Sequence, residues 1–120
     1  MSGQAFDLIE DQLFLGSESA VTFLDFKYIV TVAKDRVQKP HIKENLFIEV
    51  EDNQNEDLIS FFDTSSLFIS KVLATEQPVL VHCVAGVSRS ATIVIAYLMK
   101  KHGYSKDEAF KIVKSKRPII

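Results

Sequence analysis

The sequence VLVHCVAGVSRSATIVIAYLM, residues 79–99, decides the fold of this chain. Residues 79–81 are apolar and rich in β-branched side chains, which is typical of a short buried strand. Residues 91–99 are mostly apolar and long enough for a helix. Between them lies HCVAGVSRS, residues 82–90, with the only cysteine of the 120 residues, Cys83, and an arginine six positions later. The sequence therefore predicts a strand, a tight loop and a helix in succession.

The loop between the strand and the helix has the composition of an anion-binding site. Backbone N–H groups of a loop that leads into a helix point into one concavity, which suits a phosphate. Gly86 lets the backbone curl tightly, and the planar guanidinium of Arg89 can hold two phosphate oxygens. Cys83 would lie at the bottom of this positive cup, where the thiolate is favoured. The phosphate-binding residues that we expect are Val84, Ala85, Gly86, Val87, Ser88 and Arg89.

The nine-residue segment resembles the signature of the cysteine-dependent protein phosphatases, and within them the small dual-specificity type. The family pattern is His-Cys-x-x-Gly-x-Ser-Arg-Ser, and its specified positions are matched by His82, Cys83, Gly86, Ser88, Arg89 and Ser90. The similarity extends over nearly the whole chain. It includes the Asp-Leu-x-x-x-Phe helix start at 57–62, the Ala-Tyr-Leu-Met segment at 96–99 and the Arg-Pro pair at 117–118.

The resemblance implies hydrolysis of phosphate monoesters on proteins through a cysteinyl-phosphate intermediate, without a cofactor or a metal. Cys83 would be the nucleophile, and Arg89 would bind the phosphate and stabilise the transition state. By resemblance, His82 sets the environment of the cysteine without acting as a base. Ser90 would steady the thiolate as it leaves the phosphocysteine. The alternatives from the residues alone are a small buried cysteine, a surface ion pair for Arg89 and a helix cap for Ser90.

The leaving group of such a reaction needs a proton donor, which must come from another loop. Asp52 follows the predicted strand 46–50, and the carboxyl ends of parallel strands gather at one rim of a sheet. The resemblance also selects Asp52, because the family's acid stands before the helix start at Asp57. We therefore expect Asp52 to act as the general acid and then to activate water, with Asp57 as the next choice. The carboxylates considered are Glu51, Asp52, Glu56, Asp57 and Asp63.

The length and composition are those of one soluble globular domain. The chain has 120 residues, of which 47% are hydrophobic and 25% charged, enough for a single core. Its formal charge of −2 gives no general basic field for nucleic acid. A lone cysteine fits a reducing compartment, and neither a signal peptide nor a membrane span is evident. We expect a cytoplasmic or nuclear protein whose partners are phosphorylated proteins, not nucleic acid or membranes; its oligomeric state is left open.

The hydrophobic pattern predicts an α/β fold with a single, mostly parallel sheet of about four strands and helices on both faces. Ser105 and Glu108 have the spacing of a capping box, and Gly103 has the place of a helix C-terminal glycine. The predicted strands are 13–15, 28–33, 46–50 and 79–82, and the predicted helices are a short one near 17–26 and longer ones at 56–74, 91–101 and from 105 onward.

The stretch 34–45, KDRVQKPHIKEN, is the most basic surface segment outside the loop. Pro40 breaks any regular element in it. The simpler interpretation is a solvated connector, and the alternative is a contact for acidic residues that flank the phosphate of a substrate. His41 lacks neighbours with metal-ligand spacing.

Several functional alternatives share the same loop. Val84, Ala85 and Val87 are uncharged, which favours phosphoproteins over phosphoinositides or RNA 5′-phosphates by comparison with relatives. The chain also lacks the loop that deepens the pocket of tyrosine-specific relatives, so we expect phosphoserine and phosphothreonine to enter as well. A lipid or RNA phosphatase, a non-catalytic phosphoprotein-binding module and a sulfur transferase are the alternatives. We expect residues 1–120 to form one catalytic domain, without the last helix that members usually carry after the Arg-Pro pair.

Overall fold

A computed structural model describes residues 5–23, 25–50, 58–84 and 88–120. In these ranges five strands form one sheet, flanked by four α-helices. No helix in this part of the chain has the length and apolar character needed to cross a bilayer. The strands are β1 (Phe6–Glu10), β2 (Leu13–Gly16), β3 (Tyr28–Ala33), β4 (Glu44–Glu49) and β5 (Val79–His82). The helices are α1 (Glu18–Phe23), α2 (Phe62–Ala74), α3 (Arg89–His102) and α4 (Lys106–Lys116), with a 3-10 turn at Ile59–Phe61 before α2.

The sheet has the order β1-β2-β5-β3-β4 and is parallel except for β1. The predicted α/β architecture with a mostly parallel sheet is confirmed, with five strands instead of about four. The additional strand, β1, forms an antiparallel hairpin with β2, in which Asp11 adopts a positive φ of 50°. Because β1 is an edge strand that buries only Ile9, its sequence carries little of the apolar pattern that identifies a buried strand.

Three helices pack on one face of the sheet. The buried side chains of α3 include Ile93, Val94 and Leu98, and they share a core with Leu13 and Val81 of the sheet. Helix α3 contacts both α2 and α4, so it is the central helix that its nearly all-round apolar pattern predicts. Helix α3 also packs against β5, the strand that leads into the cysteine loop.

The opposite face is covered by α1 and by the connector, which we define as residues 34–43. Ala20 and Val21 of α1 pack there with Leu80 of β5, and Val37 and Ile42 of the connector pack against the same cluster. Helices therefore lie on both faces, as predicted, although a single short helix lies on this one. The connector adds to the apolar cover of this face, as does the buried Phe26 before β3. The connector is therefore only partly the solvated segment of the simpler interpretation.

The ends of α3 and α4 follow their sequence signals. Gly103 adopts a left-handed conformation with φ of 72°, and its N–H donates to the Met99 carbonyl across 2.9 Å. In α4 the Glu108 N–H donates to Ser105 Oγ across 3.1 Å, while the Ser105 N–H donates to Glu108 Oε1 across 2.8 Å. The predicted capping box is confirmed. The capping of α2 by Asn55 or Asp57 concerns residues outside the described ranges.

A buried ion pair fastens the end of α4 to the edge strand. Arg117 is 1% exposed, and its Nη1 donates to Asp7 Oδ2 across 2.8 Å. Asp7 belongs to β1, so the contact joins residues that are 110 positions apart. The Arg-Pro pair, quoted above only as part of a resemblance, thus includes a structural arginine.

Candidate active site

The candidate site lies at the edge of the sheet where β5 ends and α3 begins. Parallel pairing aligns His82, the last residue of β5, with Gly16 of β2 and Thr31 of β3. Cys83 follows directly, and α3 starts at Arg89. The predicted strand before Cys83 and the predicted helix after it are confirmed, while residues 85–87 of the loop lie outside the described ranges. This arrangement places the cysteine at the carboxyl edge of the parallel strands, the usual position of ligand sites in such sheets.

The sulfur of Cys83 contacts a buried hydroxyl. Its Sγ lies 3.1 Å from Ser90 Oγ, a distance at which either atom can donate a hydrogen bond. Cys83 is 7% exposed and Ser90 is completely buried. The N-cap of α3 is Ser88 and Ser90 lies inside the helix, so the alternative of Ser90 as the cap is wrong. A hydroxyl in this position can donate to a thiolate, which would stabilise a negative charge on sulfur.

His82 is held in the neutral form beside the cysteine. Its ring is 1% exposed, and Nε2 lies 2.8 Å from Thr31 Oγ1. Burial lowers the pKa of His82 from 6.5 to about 4, although a hydrogen bond with the Cys83 backbone acts in the opposite direction. At neutral pH this imidazole therefore carries no charge. It ties β5 to β3 immediately before the cysteine, which agrees with a role in setting the environment of Cys83.

The hydrophobic pattern of the sequence does not identify Thr31 as the partner of His82. The residue is completely buried and stands in the apolar strand YIVTVA. A threonine in the middle of a buried strand needs a hydrogen-bond partner. Its presence in this strand could have indicated a polar side chain at the paired position of a neighbouring strand. Which strand is the neighbour follows only from the sheet order.

The first turn of α3 brings positive potential to the loop. Arg89 is its first residue and is half-buried. The Thr92 N–H and Oγ1 both donate to the Ser88 carbonyl, across 2.9 Å and 2.8 Å, and close the first turn. The backbone N–H groups at the start of a helix have no partner within it, and the helix dipole adds positive potential there. This end of α3 is therefore suited to an anion next to Cys83.

A small depression adjoins the loop on the α1 face of the sheet. It has a volume of about 100 Å³ and is lined by Val84, Glu18, Lys34 and Val37, among others. The Glu18 N–H donates to the Val84 carbonyl across 3.2 Å, so α1 anchors the start of the loop. Val84 itself is 67% exposed. The depression beside the cysteine is thus small, with the exposed Val84 at its edge.

Some of the predicted residues lie outside the described ranges. These are Asp52, Ala85, Gly86 and Val87, and also the carboxylates Glu51, Glu56 and Asp57. Of the carboxylates considered, Asp63 is described, and it contacts Lys100. Lys100 is eleven residues from the start of α3, which corresponds to about 16 Å along the helix, so Asp63 is a poor candidate for the acid. Within the described ranges, no group of three or more His, Cys, Asp or Glu side chains could hold a metal.

Comparison with known proteins agrees with this geometry. The sequence model of the dual specificity phosphatase catalytic domain matches residues 13–120. The chain belongs to the dual specificity phosphatase family. The crystal structure of human DUSP28 covers 99% of the chain with a TM-score of 0.84 at 29% identity, and the chain covers 86% of that structure.

Two curated relatives show how far the similarity reaches. Dual specificity protein phosphatase 8 of Mus musculus is 40% identical in an alignment of 116 positions, which covers 90% of this chain and 18% of the mouse protein. Dual specificity protein phosphatase 1B of Arabidopsis thaliana is 37% identical in an alignment of 123 positions, gaps included, which covers 96% of this chain and 73% of the plant protein. This dual specificity phosphatase therefore spans about a fifth of the length of the mouse relative.

Proposed function

We propose that this dual specificity phosphatase hydrolyses phosphate monoesters on phosphotyrosine and on phosphoserine or phosphothreonine of proteins, through a cysteinyl-phosphate intermediate. The observation that carries the proposal is the contact of 3.1 Å between Cys83 Sγ and Ser90 Oγ at the first turn of α3. Membership of the family supports phosphoproteins as the substrates. We take residues 1–120 to form one catalytic domain that works without a metal or another cofactor.

In the first step the Cys83 thiolate attacks phosphorus, so that a sulfur–phosphorus bond forms while the bond from phosphorus to the ester oxygen breaks. The Asp52 carboxyl gives its proton to the leaving oxygen. The Arg89 guanidinium and the N–H groups of the loop hold the three remaining oxygens. The loop residues Val84, Ala85, Gly86, Val87 and Ser88 supply these N–H groups.

In the second step a water molecule attacks phosphorus, and the Asp52 carboxylate takes its proton. The sulfur–phosphorus bond breaks and its electron pair returns to Cys83. The Ser90 hydroxyl donates a hydrogen bond to the departing thiolate, which lowers the barrier of this step. His82 remains neutral in both steps because its pKa of about 4 lies well below neutral pH.

The surroundings of the loop support a broad choice of phosphorylated residue. Val84 is uncharged and largely exposed, and the depression next to it is small, with a volume of about 100 Å³. By resemblance, a cup without the loop that deepens the pocket of tyrosine-specific relatives admits the short side chains of phosphoserine and phosphothreonine as well as phosphotyrosine. We place the protein in the cytoplasm or the nucleus, because a lone thiol nucleophile needs a reducing environment.

The first test is the hydrolysis of a small aryl phosphate in the presence of EDTA by the wild type and by Cys83→Ser. We expect turnover without added metal and a loss of at least about a thousandfold in the variant. Ser66 is a buried serine of α2 and does not belong to the cysteine loop or to α3. The variant Ser66→Ala is therefore the control for a buried substitution, and it should hydrolyse the aryl phosphate like the wild type. Turnover that survives Cys83→Ser would contradict the proposal. Phosphopeptide binding without any hydrolysis by the wild type would instead indicate a binding module.

A further inference from the structure

The connector, residues 34–43, is held in a defined conformation on the sheet. Val37 and Ile42 are half-buried against the cluster formed by Ala20, Val21 and Leu80. Asn45 Nδ2 of β4 donates to the Val37 carbonyl across 2.9 Å, and the Lys43 N–H donates to the Lys27 carbonyl across 2.7 Å. Its charged side chains therefore start from a fixed backbone, and less conformational entropy is lost when they bind a ligand.

Three cationic side chains of this segment line one cavity. Arg36, Lys39 and Lys43 surround a space of about 340 Å³ together with the amide side chains of Gln38 and Asn45. We call this feature the cationic groove. All three cations are exposed, and within the described ranges none of them forms an ion pair with a carboxylate.

The guanidinium of Arg36 is positioned by an aromatic ring. Its Cζ lies 5.3 Å from the centroid of Phe47, a residue of β4. Stacking of this kind restrains the guanidinium and leaves its N–H groups available for an anion. The chain as a whole has a formal charge of −2, so the positive groove is a local feature and not part of a general basic surface.

The cationic groove adjoins the depression beside the cysteine loop. Val37 lines both cavities, and Val84, which follows Cys83, lines the depression. Lys34 and Asp35 also line the depression. An extended peptide whose phosphorylated residue sits over Cys83 can therefore pass Val84 and Val37 and reach the groove.

We propose that the cationic groove binds acidic residues that flank the phosphorylated residue of a protein substrate. Carboxylates are the side chains that complement three exposed cations, and the groove has the size of one or two side chains. The inference rests on the proposed function in so far as it takes a phosphopeptide as the ligand. It assigns specificity to Arg36, Lys39 and Lys43, which take no part in the chemical steps.

The test compares two fluorescent phosphotyrosine peptides that differ only in having glutamate or glutamine at the flanking positions. Fluorescence anisotropy measures their binding to the full chain carrying Cys83→Ser, and the readout is the Kd of the neutral peptide divided by that of the acidic peptide. Each exposed ion pair contributes a factor of only a few, so three cations predict a ratio of about ten at low salt. The ratio should approach one at about 0.5 M salt because exposed charges are screened.

Two charge-reversal variants on the same background locate the effect. Lys39→Glu/Lys43→Glu changes the groove, while Lys106→Glu/Lys116→Glu makes the same change in net charge on exposed positions of α4. We expect the ratio to fall to about one or below in the first variant and to stay near about ten in the second.

Three results would overturn the inference: a ratio near one in the parent chain, equal ratios in both variants, or no binding of either peptide. Hydrolysis of a small aryl phosphate by the wild type is assayed separately. Because the peptide ratio is a binding measurement on a chain without the nucleophile, it decides this inference even if that hydrolysis fails and the proposed function is wrong.

Discussion

Cys83 and Ser90 contact each other across 3.1 Å at the start of α3, and Arg117 and Asp7 contact each other across 2.8 Å at the edge strand β1. Both contacts are largely removed from solvent. The first joins a sulfur atom and a hydroxyl, and a single hydrogen bond adds little to stability. The second joins opposite charges, and removal of Arg117 would leave the mostly buried Asp7 carboxylate without this cation. The comparison indicates that the first pair serves the reaction and the second serves the fold.

The largest effect that separates the two contacts is expected for Arg117→Ala. Loss of one partner of a buried ion pair lowers the free energy of unfolding by about 3–5 kcal/mol. Chemical denaturation measures this loss. Aryl phosphate hydrolysis at a temperature where the variant remains folded should be close to that of the wild type.

A double variant provides the control for this prediction. Arg117→Met with Asp7→Leu removes both charges and keeps similar volumes, so it should recover much of the lost stability. A folded Arg117→Ala protein without activity would contradict the assignment of this contact to stability alone.

The next largest effect is a pH dependence of the free energy of unfolding that is caused by His82, the residue before the cysteine. The pKa of His82 is about 4 in the folded chain. The pKa of an unperturbed histidine, which represents the unfolded chain, is 6.5. Above pH 6.5 His82 is neutral in both the folded and the unfolded chain, so its titration does not lower the free energy of unfolding. As the pH falls from about 6.5 to about 4 the unfolded chain binds a proton that the folded chain does not, and the free energy of unfolding decreases by up to about 3 kcal/mol.

The variant His82→Asn tests this prediction, since it removes the titrating group. Denaturation at neutral pH and at a pH just above 4 should show a smaller loss of stability in the variant than in the wild type. Equal losses in both proteins would show that burial of His82 does not cause the pH dependence.

The smallest effect is expected for Ser90→Ala, and it should appear in the rate instead of the stability. A hydrogen bond to a charged group contributes about 1.5–3 kcal/mol, which corresponds to a decrease of about tenfold to a hundredfold in kcat. The loss should fall on the second step, so the phosphorylated enzyme should accumulate in a rapid-quench experiment. A Ser90→Ala protein with unchanged kcat would make the contact with Cys83 incidental.

The strand and the helix within residues 79–102 could be predicted from the sequence, because they follow one another along the chain and have distinct apolar patterns. The contact between Cys83 and Ser90, seven positions apart, agrees with what the family resemblance implies, whereas the residues alone left a helix cap as the alternative for Ser90. The predicted capping box of α4 is local in the same way and is confirmed.

Contacts between distant segments could not be predicted in this way. Thr31 and His82 are 51 positions apart, and Asp7 and Arg117 are 110 positions apart. Both pairs depend on the order of strands in the sheet and on the position of α4, which hydrophobic periodicity does not specify. The role of Asp52 is a prediction that rests on the family resemblance and on the position of the residue after a strand.

The most direct test of the central claim is to locate the phosphoryl group during turnover. Wild type, Ser90→Ala and Cys83→Ser are mixed with an aryl phosphate, quenched in acid within the first turnovers, digested and examined by mass spectrometry. We predict a phosphoryl group on Cys83 in the wild type, more of it in Ser90→Ala and none in Cys83→Ser. Turnover by the wild type without a phosphoryl group on Cys83, or with one on another residue, would contradict the account.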